Sequence, residues 1–353
     1  MAPPTGAGLA VKMRIEPVDL TDTEKVRECF EVHHAAQRVD EPDGPWFTER
    51  PFGGWLTVGW GGDPREVWLA ADQASAAGWY RLELPSRENL DQAGLDLVVH
   101  PAGRRRGLGL ALLRHAAGRA AAHERVVLNG GARRGSPGEA FARWAGAKPG
   151  LVEVQRVLDI GRLEKGTLAR LRGPAERAAA GYPLESWAGP VPEDFLEQVA
   201  MLYNAMNDAP RDPEIAHVEW DAQRVREGVN ELRPHYGLRS YTVVARHADT
   251  GELAALSEIA VDPANPGWGF QMNTVVIRKH RGHRLGLLAK IAMMELLATT
   301  EPQLERISTW NAEVNEHMIA INEAMGYAPW GQPVTDLRLD VAAVTGRPGQ
   351  DHG

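Results

Sequence analysis

Two short stretches of the chain place glycine and positive charge directly before an apolar, helix-like run. They read RRRGLG, from Arg104 to Gly109, and RGHRLG, from Arg281 to Gly286. A strand-like run precedes each stretch, so each lies between a strand and the start of a helix. The first N–H groups of a helix lack partners and sit at the positive end of its dipole. Because glycine lets a bulky anion approach these groups, each loop suits a pyrophosphate.

The two stretches belong to a longer internal repeat. Residues 97–116 (LVVHPAGRRRGLGLALLRHA) and 274–293 (TVVIRKHRGHRLGLLAKIAM) align without a gap, and residues 141–149 (FARWAGAKP) resemble 321–329 (INEAMGYAP). A repeat of this length predicts a duplicated domain. We expect a first half at residues 12–160, a linker rich in charge, alanine and glycine at 161–180, and a second half at 181–345.

The composition is that of an ordinary globular protein, with 353 residues, 43% of them hydrophobic and 24% charged. Cys29 is the only cysteine, which excludes an intrachain disulfide and favours a reducing cytoplasm, with no metal site expected. The net charge of −8 argues against a nucleic-acid partner. The most apolar helix, residues 285–298, is interrupted by charge and too short to cross a membrane, so no membrane partner is expected.

Each half shows the same order of predicted elements: helix, strands, glycine-basic loop, long helix, strand and helix. In the second half, residues 240–247 (SYTVVARH), 253–261 (LAALSEIAV) and 270–277 (FQMNTVVI) read as strands. The helix after the loop places a buried stripe on one side. Its members are Leu287, Ile291, Met294 and Ala298.

The loop motifs resemble those of the GCN5-related N-acetyltransferases. RRRGLG matches the R/Q-x-x-G-x-G/A motif of that family, and RGHRLG matches it except that Arg284 stands where the first half has Gly107. Residues 309–327 (TWNAEVNEHMIAINEAMGY) are similar to the family's final strand, cofactor-contacting helix and closing Gly-aromatic pair. The resemblance implies an α/β (α+β) fold of two tandem domains, each a mixed, mostly antiparallel sheet flanked by helices.

The resemblance also implies acetyl-CoA, or another acyl-CoA, as cofactor. Its pyrophosphate would lie on the loop amides and its pantetheine in a gap between two splayed central strands. In the second half the implied contacts are Val275, Val276, Arg281, Gly282, His283, Arg284, Leu285, Gly286, Asn311 and Asn315. In the first half they are Val99, Arg104, Arg105, Arg106, Gly107, Leu108 and Gly109. Arg284 would either crowd the pyrophosphate or bind it.

Catalysis is expected in the second half, because the first half has no counterpart of Asn315. The resemblance assigns the backbone N–H of Val276, or of its neighbour, to the oxygen that gains charge. Glu258, an acidic residue in an apolar strand, is the candidate general base, with a solvent-facing strand glutamate as the other interpretation. Asp96 is its analogue in the first half. Asn322 stands where many family members have a tyrosine that protonates the leaving sulfur. An amide can donate a hydrogen bond there, but it releases no proton at pH 7.

These residues favour an N-acetyltransferase that moves acetyl from acetyl-CoA to a primary amine of a small molecule by direct attack on the thioester. Two alternatives stay open: a longer acyl-CoA or carrier-protein donor, and a non-catalytic CoA-binding or regulatory protein. Asp208, Asp212 and Glu214 suit either a cationic amine or a solvated loop. We expect a cytoplasmic monomer or homodimer, in which the first half either binds CoA without turnover or supports the fold.

Overall fold

This computed structural model describes residues 13–59, 61–71 and 75–346. The first half forms β1 (Arg14–Pro17), α1 (Thr23–Asp40), α2 (Glu49–Thr57), β2 (Arg65–Ala71), β3 (Ala76–Glu83), β4 (Gln92–Val99), α3 (Leu108–Ala122), β5 (Val127–Arg133), α4 (Pro137–Ala145) and β6 (Lys148–Asp159). Helix α5 (Thr167–Ala178) occupies most of the predicted linker.

The second half repeats the same order of elements. It forms β7 (Leu184–Ala188), α6 (Leu196–Asn204), α7 (Ala222–Val225), α8 (Arg233–Tyr236), β8 (Arg239–Arg246), β9 (Leu253–Val261), β10 (Trp268–Val276), α9 (Leu285–Thr300), β11 (Arg306–Ala312), α10 (Glu316–Met325), β12 (Ala328–Pro329), β13 (Val334–Asp340) and α11 (Val341–Thr345). The three predicted strands are confirmed as β8, β9 and β10. Among the described residues, no helix combines the length and apolarity needed to cross a membrane.

Strand β9 is buried at every position. Successive strand side chains point to opposite faces, so helices must cover both sides of the sheet there. Helix α9 packs on one face and α6 on the other. The predicted stripe on α9 is confirmed at Leu287, Ile291 and Met294, but Ala298 is exposed. Other positions of α9 are buried as well, because α5 packs against this helix.

The strands of both halves join one mixed sheet in the order β1-β2-β3-β4-β5-β13-β6-β11-β10-β9-β8-β7, with β12 paired to β6. Two pairs, β4 with β5 and β10 with β11, are parallel, and the other pairs are antiparallel. The predicted fold class, a mixed and mostly antiparallel sheet flanked by helices, is therefore confirmed.

The halves exchange strands at the centre of this sheet. Strand β5 of the first half pairs along its length with β13, the last strand of the chain. Strand β11 of the second half pairs along its length with β6, which comes from the first half. Each half therefore takes one central strand from the other. The division of the chain at residues 160 and 180 stays a prediction, and the hydrogen-bonded sheet runs across it.

The exchange predicts that neither half folds alone. Residues 13–165 produced separately lack β13, and residues 166–346 lack β6, so each loses the neighbour of a central strand. We expect neither fragment to show a cooperative thermal transition, whereas coexpression restores one. A full-length chain carrying a protease site near Lys165, cut after folding, is the control and should remain one complex. A cooperative transition in either isolated fragment would contradict this prediction.

Lys290, on α9, is buried in the core of the second half. Its Nζ has no hydrogen-bond acceptor among the described residues. Its Nζ lies 4.6 Å from the ring centroid of Tyr327, which offers the ammonium partial compensation. Burial lowers the pKa of Lys290 from its ordinary 10.5 to about 7. A buried cation without a carboxylate partner lowers the free energy of unfolding.

We predict that Lys290→Met stabilises the chain, most strongly at pH 7 and below. Between about pH 7 and 10.5 the unfolded chain holds a proton that the folded chain has released, so the stability of the natural chain rises with pH. The gain from the substitution, on the order of a few kcal/mol, therefore shrinks across this window. Thermal unfolding at pH 6.5, 8 and 9.5 measures it. Lys165→Met, at an exposed lysine, is the control, and a gain that is constant with pH would contradict the assignment.

Candidate active site

Each half contains a gap between two parallel strands that meet briefly and then separate. Strands β10 and β11 pair only from Trp268 to Phe270, and β4 and β5 only from Gln92 to Gly94. Past these points β10 and β4 continue toward the glycine-basic loops. We call the opening between β4 and β5 the first gap and that between β10 and β11 the second gap. Both are the splayed openings that the resemblance implied.

Backbone N–H groups point into both gaps. Ile277 N–H donates to Ala254 O across the β9–β10 pair at 2.9 Å. Alternate residues direct their N–H groups to opposite edges of a strand, so Val276 and Thr274 direct theirs into the second gap. His100 N–H likewise donates to Ala77 O at 2.9 Å. By the same alternation, the N–H group of Val99 points into the first gap. By the same alternation Val275 N–H points to β9, and its side chain is buried in the core beneath α6.

The first arginine of each motif fastens its loop to the protein. Arg281 donates through Nε to Val276 O at 3.3 Å and through Nη2 to Asp208 Oδ2 at 2.8 Å. Arg278 pairs with the same carboxylate, and these hydrogen bonds lower the pKa of Asp208. Asp208 is thus partly exposed and ion-paired within the protein. The first half repeats the clamp with Arg104, Val99 O and Asp40.

The two loops share one backbone conformation but distribute glycine differently. The fourth motif position is left-handed in both, at Gly107 with φ 83° and Arg284 with φ 54°. The second position is left-handed too, at Arg105 with φ 62° and Gly282 with φ 91°. Each loop therefore has glycine at one left-handed position and arginine at the other. A Cβ added to Gly107 or Gly282 would meet nothing within 4 Å, so the space over both loops is open.

The remaining cations of the loops are available to an anion. Arg105, Arg106 and Arg284 are exposed, and their side chains form no ion pair or hydrogen bond within the described part of the chain. His283 differs, because its Nδ1 lies 3.1 Å from Ala178 O and ties the loop to α5. Free guanidinium groups beside a helix N-terminus suit a diphosphate. The residues present thus fit the phosphates of acyl-CoA in both halves.

The first turn of each helix leaves little room between loop and gap. Leu285 and Leu108 point into the two cores, so only their backbone N–H groups can face a ligand. A Cβ on Gly286 would lie 3.5 Å from Val276 Cγ2 and 3.7 Å from Thr274 Cγ2. A Cβ on Gly109 would lie 3.6 Å from the ring of Phe141. A long side chain at either glycine must therefore extend into the gap.

Buried polar atoms without partners border the second gap. Asn322 is fully buried and donates through Nδ2 to Asn311 Oδ1 at 2.7 Å, which leaves its own Oδ1 without a donor among the described residues. The Oγ1 of Thr274 likewise has no partner there. Buried polar groups normally pair, so these atoms lack a bonding partner that a ligand could supply. The amides of a pantetheine arm have the right chemistry. Asn315 instead caps α10 by accepting from Met318 N–H at 3.3 Å.

Glu258 lies on the α6 side of β9, paired with Asn273 of β10 and one strand away from the second gap. Its carboxylate is 2% exposed and accepts from Tyr203 at 3.0 Å, Arg233 at 2.6 Å and Asn273 at 2.8 Å. The solvent-facing interpretation of Glu258 is therefore wrong. Burial, together with the Glu258 carboxylate, raises the pKa of Tyr203 well above its usual value. Sequence reasoning missed Tyr203 and Arg233, which come from helices far from β9 in the chain.

In the first half, the position that corresponds to Glu258 carries a positive charge, that of Arg81. Arg81 pairs with Asp96 across β3 and β4 as Glu258 pairs with Asn273 across β9 and β10, the corresponding strands of the second half. Arg81 is buried, pairs with Asp96 at 2.8 Å and lies 4.0 Å from the ring centroid of Trp55. The predicted analogy between Asp96 and Glu258 is therefore wrong: Asp96 corresponds to Asn273, and it pairs with a guanidinium on the neighbouring strand.

Comparisons with known proteins agree with this geometry. The model of the acetyltransferase (GNAT) family matches residues 26–134. A tandem GNAT protein from the clavulanic acid biosynthesis pathway, solved without AcCoA, is 27% identical with a TM-score of 0.76, over 94% of this chain and 99% of that chain. No curated protein matches the sequence.

Two further solved structures share the fold alone. A GCN5-related N-acetyltransferase from Sphaerobacter thermophilus is 15% identical with a TM-score of 0.63, over 96% of this chain and 97% of that chain. A putative acetyltransferase from Pyrococcus horikoshii is 14% identical with a TM-score of 0.55, over 96% and 92%.

We predict that Arg284→Gly stabilises the chain slightly but weakens CoA binding. The substitution removes a side chain from a left-handed position, which offsets the entropy cost of glycine for a net gain of about 0.5–1 kcal/mol. It also removes a free guanidinium beside the phosphates, so we expect roughly tenfold weaker binding and a smaller dependence on salt. Thermal unfolding measures the gain in stability, and titration calorimetry at two salt concentrations measures the affinity and its dependence on salt. Arg105→Gly is the matched control in the first loop. Unchanged affinity in Arg284→Gly would show that backbone amides alone hold the phosphates.

Proposed function

We propose that this chain, which belongs to the GCN5-related N-acetyltransferase superfamily as a tandem two-domain member, transfers acetyl from acetyl-CoA to a primary amine of a small molecule. The observation that carries the proposal is the pair of buried, unpartnered oxygens on Thr274 and Asn322 beside the second gap. The relative from the clavulanic acid biosynthesis pathway supports a small-molecule acceptor. We assign the chemistry to the second half.

The cofactor contacts follow from the loop and the gap. Acetyl-CoA, when bound, supplies an acetyl group activated as a thioester. The amides from Gly282 to Gly286 and the guanidinium of Arg284 hold its diphosphate. Asn322 and Thr274 offer polar atoms to its pantetheine arm, and Asn311 fixes the amide of Asn322. Leu285 contributes its backbone N–H.

The backbone of β10 stabilises the charge that develops during transfer. The N–H groups of Val276 and Thr274 point into the gap, where they donate to carbonyl oxygens. A fixed donor of this kind contributes about 2.7–4 kcal/mol to the transition state. No side chain needs to protonate the leaving sulfur, because a thiol with a pKa of about 8.5 is a tolerable leaving group. The absence of a tyrosine at Asn322 is compatible with this chemistry.

Glu258 is the group that takes the proton from the attacking amine. Its carboxylate is fixed by Tyr203, Arg233 and Asn273, one strand away from the gap and on the side of the sheet that carries α6. A carboxylate in that position receives the amine proton directly or through one water. The first half has Arg81 at this place, which cannot accept a proton. We therefore assign CoA binding without turnover to the first half.

The test compares acetyl-CoA binding and acetyl transfer in three variants, with Tyr203→Phe as a control. Gly286→Glu directs a carboxylate into the second gap, so acetyl-CoA binding there and amine-dependent thiol release should both be lost. Gly109→Glu should lose only the first binding event and keep turnover. Glu258→Gln should keep binding and lower turnover roughly 10²–10⁴-fold. Calorimetry counts the sites, and thiol release over an amine panel reports turnover.

Stability must be controlled, because Glu258→Gln leaves Arg233 without its carboxylate. Activity is compared below the unfolding temperature of each variant. Tyr203→Phe, which removes one hydrogen bond to Glu258 but keeps the ring, should retain most turnover. Normal turnover in Gly286→Glu would place the chemistry in the first half. Tight CoA binding with no thiol release for any amine would instead support the non-catalytic alternative.

A further inference from the structure

A cavity of about 390 Å³ lies between the two halves. On one side it is lined by α1 and by residues 43–49, which connect α1 to α2, and on the other by the turn between β9 and β10. Five rings line it, those of Phe30, His34, Trp46, Phe47 and Trp268. Cavities of this size and apolar lining hold small molecules in other proteins.

The cavity exists only when both halves are assembled. Helix α1 packs on β3 and β4, whereas Trp268 begins β10, the fifth strand beyond β4 in the sheet order. Both line one cavity because the sheet curls and brings the halves face to face. Thr48 Oγ1 donates to Asp262 Oδ2, and Trp330 Nε1 donates to Gly44 O at 3.1 Å, so hydrogen bonds join the halves on either side of the cavity.

Helix α1 separates the cavity from the first gap. The buried residues Cys29, Val32 and Ala36 form one stripe of α1 that faces the sheet. At 100° per residue, Phe30 and His34 lie on another side of the helix. The cavity is therefore on the outer side of α1, whereas β4 and the first gap are on the inner side.

The cavity is also separate from the second gap. Trp268 pairs with Arg306 at the end where β10 and β11 are still joined. From Trp268 to Thr274, whose N–H points into the second gap, β10 rises by roughly 17 Å. A small molecule in the cavity is therefore too far from that N–H group to be the acceptor of the acetyl group.

The charges around the cavity are those of carboxylates. Asp43 and Glu49 line it, are exposed and form no ion pair within the described part of the chain. Asp262 is 5% exposed and accepts from Thr48 and from Ala264 N–H, but it has no cationic partner among the described residues. None of the described residues that line the cavity is Lys or Arg.

Two of the lining rings already contact cations of the protein. The guanidinium of Arg38 lies 4.4 Å from the ring centroid of Trp46, and that of Arg306 lies 5.4 Å from the ring centroid of Trp268. Arg306 is also within 4.0 Å of carboxylates, those of Asp159 and Glu305, so its charge is partly neutralised. The rings are thus of the type, and in the surroundings, that attract positive charge.

We propose that this cavity binds a small organic ammonium ion. Aromatic rings attract such an ion through their π faces, and the carboxylates of Asp43, Glu49 and Asp262 offset its charge. His34 offers a ring nitrogen, because neither of its nitrogens forms a hydrogen bond within the described residues. The site goes beyond the proposed acetyl transfer, since it lies outside both gaps, and its ligand contacts both halves at once.

The experiment titrates the full-length chain, without acetyl-CoA, with benzylamine, benzyltrimethylammonium and the neutral benzyl alcohol. We expect both cations to bind at least tenfold more tightly than the alcohol, with an affinity that falls as salt is added. At a hundredfold excess over its Kd, each cation should raise the unfolding temperature by roughly 3 °C. Benzyltrimethylammonium has no N–H, so its binding cannot report an acceptor in reaction.

Matched variants locate the binding. The double variant Asp43→Asn with Glu49→Gln removes two charges from exposed side chains, so it should weaken both cations roughly tenfold and leave benzyl alcohol unchanged. Asp249→Asn, in the exposed turn at the other end of β9, is the control. Trp46→Leu should weaken the cations as well, and the unfolding temperature of the ligand-free variant checks its fold.

Three outcomes would overturn the proposal. The first is that neither cation binds more tightly than benzyl alcohol. The second is that both cations bind the double variant as well as they bind the natural chain. The third is that Gly286→Glu, which fills the second gap, abolishes cation binding, because the ions would then lie in that gap. None of these results bears on acetyl-CoA binding or on turnover, so the proposed function is tested separately.

Discussion

The pairing of β11 with β6 is the constraint on which the second gap depends. Strand β11 is bonded to β6 from Arg306 to Ala312, but to β10 only as far as Ser308. A strand that leaves one neighbour needs its other edge fixed, because unpaired backbone groups in an interior are costly. The exchanged strand supplies that edge. In the first half, β13 does the same for β5, so both gaps rely on a strand from the other half.

The glycine-basic loops show that backbone conformation, more than residue type, defines this site. Both loops need left-handed residues at their second and fourth motif positions, and each has glycine at only one of them. A non-glycine residue in this region costs roughly 1–2 kcal/mol. The tight clamps by Arg281 and Arg104 hold the conformation in place. An arginine at the fourth position therefore preserves the loop and adds a positive charge beside the N-terminus of α9.

Local patterns were sufficient to predict strands, loops and the two-domain class, because these depend on periodicity and on short motifs. The exchange of glycine and arginine between the two loops was also visible in the sequence, since the gap-free repeat aligns Gly107 with Arg284 and Arg105 with Gly282. The strand exchange was not, because β6 and β13 carry ordinary strand patterns that do not specify a partner.

The two halves carry opposite charges at corresponding buried positions, Glu258 and Arg81. Both residues are buried on the same side of corresponding strands, and each is bonded to the neighbouring strand, at Asn273 or Asp96. A buried carboxylate can accept a proton, whereas a guanidinium cannot. Under the function proposed above, the first half keeps its loop and gap but has no proton acceptor at the position of Glu258.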